Sequence, residues 1–128
     1  MTPVSVLLVD DDPLVRNCLM DWLEDEGFSV SATSSAAEAL TVLAAEPFHI
    51  CISDLNLRGM NGDDFIRETL PAYPLTRFMI LTGLHSYCLD TQLRALGMRD
   101  EYVLYKPIFS MKTLSAAIRS ALPEELHV

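Results

Sequence analysis

A chain of 128 residues, half of them hydrophobic and 21% charged, fits one domain with enough apolar content for a core that needs neither disulfides nor a structural metal. Its 18 acids against 9 bases give a formal net charge of −9, which argues against direct nucleic-acid binding because phosphate contacts require a basic surface. The apolar runs are far shorter than the ~20 residues that cross a bilayer, and the N-terminus has neither the basic flank nor the small-residue cleavage site of a secretion signal, so no membrane association and a cytoplasmic location are expected.

Residues 4–9 form a nearly continuous apolar run that stops at Asp10-Asp11-Asp12-Pro13, the pattern of a buried strand entering a polar loop. Asp12 suits an N-cap and Pro13 a first helical turn, after which Leu14, Val15, Cys18, Leu19, Trp22 and Leu23 recur at helical spacing until Gly27. A second strand is predicted over 28–33, and Ser35 with Glu38 has the form of a capping box opening a helix that Pro47 closes. The third apolar run, 49–53, again ends on an aspartate, Asp54. Two glycines and two asparagines in 55–62 give a turn composition before a helix around 63–70. A strand over 78–82, a helix over 86–96, a strand over 102–105 and a helix over 110–122 complete the pattern.

Five strand-like runs alternating with five helix-like segments give (βα)₅, a doubly wound α/β fold whose crossover rule makes the sheet parallel with helices on both faces. Cys18, Cys51 and Cys88 are odd in number, widely spaced and free of a CxxC pair, and read as reduced, mostly buried core residues. A nucleophilic cysteine would need a base, for which His49 or His85 would have to serve.

In an open α/β sheet the functional crevice lies beyond the carboxyl ends of the strands. Asp10 and Asp11 follow the first strand, Asp54 the third, Thr82 ends the fourth and Lys106 the fifth. Each alone has an ordinary explanation, as a solvated strand-end acid or a surface polar group. Three carboxylates, a hydroxyl and an ammonium on one edge suit a hard divalent cation together with a phosphoryl group. The carboxylates would hold the cation, Lys106 would pair with phosphoryl oxygens and Thr82 would donate to one. Asp12 is expected to be only a cap.

Val9-Asp10-Asp11 with Arg16, Asp54 with Met60 and Gly62, Leu81-Thr82-Gly83, and Lys106-Pro107 resemble the receiver-domain pattern of bacterial response regulators, the chemotaxis-regulator-like superfamily, over essentially the whole chain. The resemblance implies a flavodoxin-like strand order 2-1-3-4-5, with a receiver domain over residues 1–122 and a tail or linker start at 123–128. It implies Mg²⁺ held by Asp11, Asp54 and the backbone carbonyl of Asn56, with Asp10 helping through water. Asp54 is then the phosphoacceptor, and Thr82 and Lys106 contact the phosphoryl group. The implied function is a two-component phosphorylation switch rather than an enzyme, assisting only its own phosphorylation and dephosphorylation. Its donor would be a sensor histidine kinase or histidine phosphotransfer protein, and its output a downstream protein or a fused domain. The resemblance also leaves room for a homodimer through the fourth-helix, fifth-strand, fifth-helix face.

Two positions depart from the family pattern. Arg58 stands where a proline is common, and Val103 occupies the usual switch-aromatic position, with Tyr102 and Tyr105 nearby. Asn56 and Leu84, two residues beyond Asp54 and Thr82, lie where this family tunes the lifetime of the acyl phosphate, and an apolar Leu84 could shield it from water. Two other readings compete. Asp10-Asp11-Asp12 also satisfies the Asp-x-Asp of haloacid-dehalogenase-type phosphohydrolases, with Asp10 as nucleophile, but that reading leaves Asp54 unexplained and lacks a later acidic pair. A phosphorylation-independent binding module would be favoured by loss of Asp54 or Lys106, and both are present.

Overall fold

The computed structural model describes residues 3–106 and 110–123, the side chain of Met111 excepted. Pro107 of the Lys-Pro pair and the tail at 124–128 lie outside the described residues. The strands are β1 (Ser5–Val9), β2 (Ser29–Thr33), β3 (Ile50–Asp54), β4 (Arg77–Thr82) and β5 (Val103–Tyr105). They alternate with α1 (Pro13–Asp25), α2 (Ala36–Ala45), α3 (Gly62–Thr69), α4 (Thr91–Ala95) and α5 (Met111–Ala121), with 3₁₀ turns at Leu70–Ala72 and Asp100–Tyr102. Every pairing is parallel, in the expected order β2-β1-β3-β4-β5.

Continuous apolar strands are what a sheet covered on both sides requires, because successive side chains point to opposite faces. Leu7, Val9, Cys51, Phe78, Ile80 and Val103 pack on one side with Ala39 and Leu43 of α2, Phe65 and Ile66 of α3 and Leu93 of α4. Val6, Leu8, Ile50, Ile52, Met79 and Leu81 point the other way, against Leu19 and Leu23 of α1 and Leu114 and Ile118 of α5. All five helices are thereby tied to the sheet, and the strand ends are left open between them.

Three expectations need correction. The fourth helix begins at Thr91, not near residue 86, because the Asp90 side chain accepts from Leu93 N–H at 2.8 Å and caps it there. The preceding loop is spent on other contacts, including Tyr105 Oη donating to the Tyr87 carbonyl at 2.7 Å. The three cysteines are free as expected, but Cys51 alone is buried, whereas Cys18 and Cys88 are exposed on their own turns. The capping box is half made: Ser35 Oγ accepts from Glu38 N–H at 3.1 Å, while the Glu38 carboxylate accepts from the Ser34 hydroxyl instead of reaching back to Ser35.

The loop after β3 is shaped by a close approach of backbones. Asn56 and Asn61 form an isolated antiparallel bridge that closes it, and Gly62 N–H donates to the Leu55 carbonyl at 2.6 Å. A Cβ on Gly62 would lie 2.2 Å from the Asp54 carbonyl oxygen and 3.0 Å from Leu55 Cα, contacts that only glycine avoids. Gly62→Ala should therefore cost about 2–3 kcal/mol in urea unfolding, because the clash is with backbone that cannot rotate away. A change below a few tenths of a kcal/mol would show that the loop relaxes freely.

Candidate functional site

The sheet register brings the carboxylates together. Val9 pairs with Ser53, Asp54 with Leu81 and Thr82 with Tyr105, so the residues leaving β1, β3, β4 and β5 meet at one edge. Backbone bonds carry the ladder past the strands: Asp10 N–H donates to Thr33 O at 3.1 Å, Leu55 N–H to Leu81 O at 3.1 Å and Lys106 N–H to Thr82 O at 2.7 Å. Arg16 of α1 donates to the Asp10 carbonyl at 2.8 Å, which fixes the first acidic turn from behind.

One carboxylate oxygen from each of Asp10, Asp11 and Asp54 lies within 4.8 Å of the other two. Asp10 is 3% exposed; its Oδ1 accepts from Asp12 N–H at 2.9 Å, while its Oδ2 is buried without a hydrogen bond. The Lys106 ammonium stands 3.7 Å from that oxygen and 3.3 Å from Asp54 Oδ2. Asp54 Oδ1 accepts from Asn56 N–H at 3.2 Å, so the backbone of Asn56 is turned in beside the cluster. The Asp12 carboxylate takes no part. Its Oδ1 accepts from Leu14 N–H at 3.0 Å and Val15 N–H at 3.4 Å, the expected cap of α1.

Burial pushes the Asp10 carboxyl above its ordinary pKa of 3.8. The Asp12 amide and the Lys106 charge oppose that shift, and the charges of Asp54 and Asp11 add to it. Thr82 is fully buried, and its Oγ accepts from Leu84 N–H at 3.0 Å, so in this state its hydroxyl oxygen serves the following loop.

The donor set fits a hard divalent cation. Octahedral Mg²⁺ takes oxygen ligands at about 2.0–2.1 Å, so opposite ligands lie about 4 Å apart, close to the spread of these three oxygens. The Oδ2 of Asp10, which accepts no hydrogen bond, is the kind of buried acceptor that a cation or its water would satisfy.

The response regulator receiver domain family matches residues 6–119, nearly the whole chain. The chain belongs to this family. The receiver domain is 34% identical over 118 residues to the response regulator protein FleR of Pseudomonas aeruginosa, covering 92% of this chain and 24% of that protein. It is 40% identical over 116 residues to the C4-dicarboxylate transport transcriptional regulatory protein DctD of Rhizobium meliloti, covering 91% and 25%. The receiver domain thus spans about a quarter of the length of these curated relatives. Among solved structures, the chemotaxis response regulator CheY4 of Vibrio cholerae superposes with a TM-score of 0.81 at 29% identity, covering 94% of this chain and all of that one.

The departures from the family pattern now have positions in the receiver domain. Val103 is buried in the sheet, whereas Tyr105 is 39% exposed and its ring packs edge-on to His85, with centroids 5.8 Å apart. His85 Nε2 meets the Lys106 carbonyl, a link between the loop after β4 and the end of β5 that sequence reasoning missed. Leu84 is exposed at the mouth, and Arg58 Nε lies 4.0 Å from Asp11 Oδ2.

A raised carboxyl pKa means that ionising Asp10 costs more in the fold than in the unfolded chain. That penalty is complete above the folded pKa, diminishes as pH falls through it and is gone below 3.8. Asp10→Asn keeps an acceptor for Asp12 N–H and removes the charge, so in EDTA at neutral pH it should stabilise the domain. The gain should shrink on acidification; a destabilised Asn variant in thermal melts would contradict this electrostatic picture.

Proposed function

We propose that this receiver domain is a phosphorylation-dependent switch in which Asp54 accepts a phosphoryl group with Mg²⁺ bound beside it. The observation that carries the reading is the setting of Asp54 at the end of β3, beside the Lys106 ammonium and two further carboxylates. Asp10, Asp11, Asp54 and the Asn56 carbonyl would hold the ion, with Asp10 acting through water. When bound, Mg²⁺ would neutralise the carboxylates and screen the entering phosphoryl group from their charge.

An oxygen of Asp54 attacks phosphorus, and the bond from phosphorus to the donor's leaving nitrogen or oxygen breaks. Lys106, already beside Asp54, pairs with the phosphoryl oxygens. Asp54 is a better placed nucleophile than Asp10, whose side chain is more deeply enclosed and partly committed to Asp12 N–H. This favours the switch over an Asp-x-Asp phosphohydrolase acting through Asp10. No other substrate is turned over: the domain assists only its own phosphorylation and dephosphorylation.

The signal would leave through Thr82. When its hydroxyl turns to a phosphoryl oxygen, Leu84 N–H loses its acceptor and the loop after β4 is released on one side. That loop is tied to β5 by His85 at the Lys106 carbonyl and by Tyr105 Oη at Tyr87 O, so Tyr105 would carry the coupling in place of an aromatic at Val103. The face of α4, β5 and α5 is then the surface that changes, for a downstream protein, a fused output domain or a second copy. The donor would be a sensor histidine kinase or a histidine phosphotransfer protein in the cytoplasm; consistent with that setting, no helix among the described residues is long and apolar enough to cross a membrane.

Incubation with acetyl phosphate and Mg²⁺ followed by intact mass should add one phosphoryl group. The addition should disappear in EDTA and in Asp54→Asn. A label that survived Asp54→Asn but not Asp10→Asn would favour the phosphohydrolase, and no label, with no response to beryllofluoride, would favour a phosphorylation-independent binding module.

A further inference from the structure

We infer that Arg58 is a tethered counter-ion that competes with a divalent cation for Asp11 and so sets the metal affinity of the site. The inference rests on the reading of the acidic cluster as a metal site given above. The three carboxylates are not neutralised alike. Lys106 reaches Asp54 at 3.3 Å and Asp10 at 3.7 Å from the β5 side. The cation beside Asp11 is the Arg58 guanidinium, with Nε 4.0 Å from Oδ2.

The loop holds Arg58 in that place. Leu57 before it is buried in the core on the α2 and α3 side, and Gly59 after it turns the chain with φ +80°, a left-handed conformation that favours glycine. Between an anchored residue and a turn, the Arg58 side chain is left at the solvent rim of the acidic cluster, 90% exposed, while Asp11 is 29% exposed. A proline, common at this position in the family, would place no charge there.

A divalent ion that takes Asp11 as ligand must either displace the guanidinium or bind with a positive charge a few ångströms away. Both lower its affinity. Because the pair is exposed to water, the effect is modest, about two- to fivefold in Kd. It is also screened by salt, since the Debye length falls to about 8 Å at physiological ionic strength. Arg58 thus shifts metal loading, and with it phosphorylation, to a higher free Mg²⁺ concentration than a neutral residue would.

Calorimetric titration of the whole chain with Mg²⁺ at low ionic strength tests this without any phosphorylation step. Arg58→Ala and Arg58→Gln should bind Mg²⁺ about two- to fivefold more tightly than the native chain, Arg58→Glu more tightly still, and Arg58→Lys close to native. The spread should narrow as NaCl is raised. If Arg58→Lys instead follows Arg58→Ala, the effect comes from loop conformation and not from charge, and the inference is overturned. It is equally overturned if the neutral variants bind no more tightly than the native chain while the native chain binds Mg²⁺, an outcome that leaves the metal reading intact. A native chain that binds no Mg²⁺ contradicts the metal reading itself and removes the role of Arg58 with it.

Discussion

Three carboxylates lie within 4.8 Å of one another at one edge of the sheet, with a lysine ammonium beside two of them and an arginine at the rim of the third. Like charges at this spacing repel, and in Asp10 the repulsion adds to the cost of burial. The fold must therefore hold them together against their own electrostatics. It does so through backbone, with parallel pairing that brings Val9 beside Ser53 and hydrogen bonds from Asp10 N–H and Leu55 N–H that extend the ladder beyond the last paired residues. The repulsion is what makes the edge receptive to a cation.

The rest of the structure can be understood as support for that edge. Two apolar layers clamp the strands from both faces, so the strand ends have fixed positions relative to one another. Arg16 holds the Asp10 carbonyl from α1, and Gly62 lets the loop after β3 fold back to within bonding distance of Leu55 O. On the far side, Arg67 of α3 pairs with both Asp64 and Asp90, linking its helix to the cap of α4. Between these fixed parts runs the loop after β4, held to the site by Thr82 and to β5 by His85 and Tyr105. In the proposed switch it is the segment whose bonds phosphorylation of Asp54 would rearrange.

Much of this was legible in the sequence, for reasons that particular residues illustrate. The buried strands are short apolar runs ended by Asp10 and Asp54, and a parallel sheet puts every such ending on the same edge, so the meeting of these acids followed from alternation, while the part of Asn56 came only from the family resemblance. Asp12 and Ser35 announced helix starts because their side chains have a local job. The start of α4 was missed because Leu89 and Leu93 fit a longer helix, whereas the Asp90 cap begins it at Thr91 and the tertiary partners of Asp90 and Tyr87 hold the preceding loop apart from it. Nor was the exposure of Cys18, which shares helical spacing with the buried Leu19 and Leu23 but falls on the other side of the stripe. The contact between Arg58 and Asp11 joins two loops far apart in the chain and could be found only in three dimensions; the replacement of a common proline was its one trace.

The most direct test of a cluster strained by its own charge is the unfolding free energy with and without millimolar Mg²⁺, against NaCl at matched ionic strength. A ligand that binds only the folded state stabilises it by RT ln(1 + [L]/Kd), so Mg²⁺ well above its dissociation constant should add about 1–3 kcal/mol beyond the effect of NaCl. Equal shifts from the two salts would mean that the carboxylates are merely screened and hold no ion, contradicting the account.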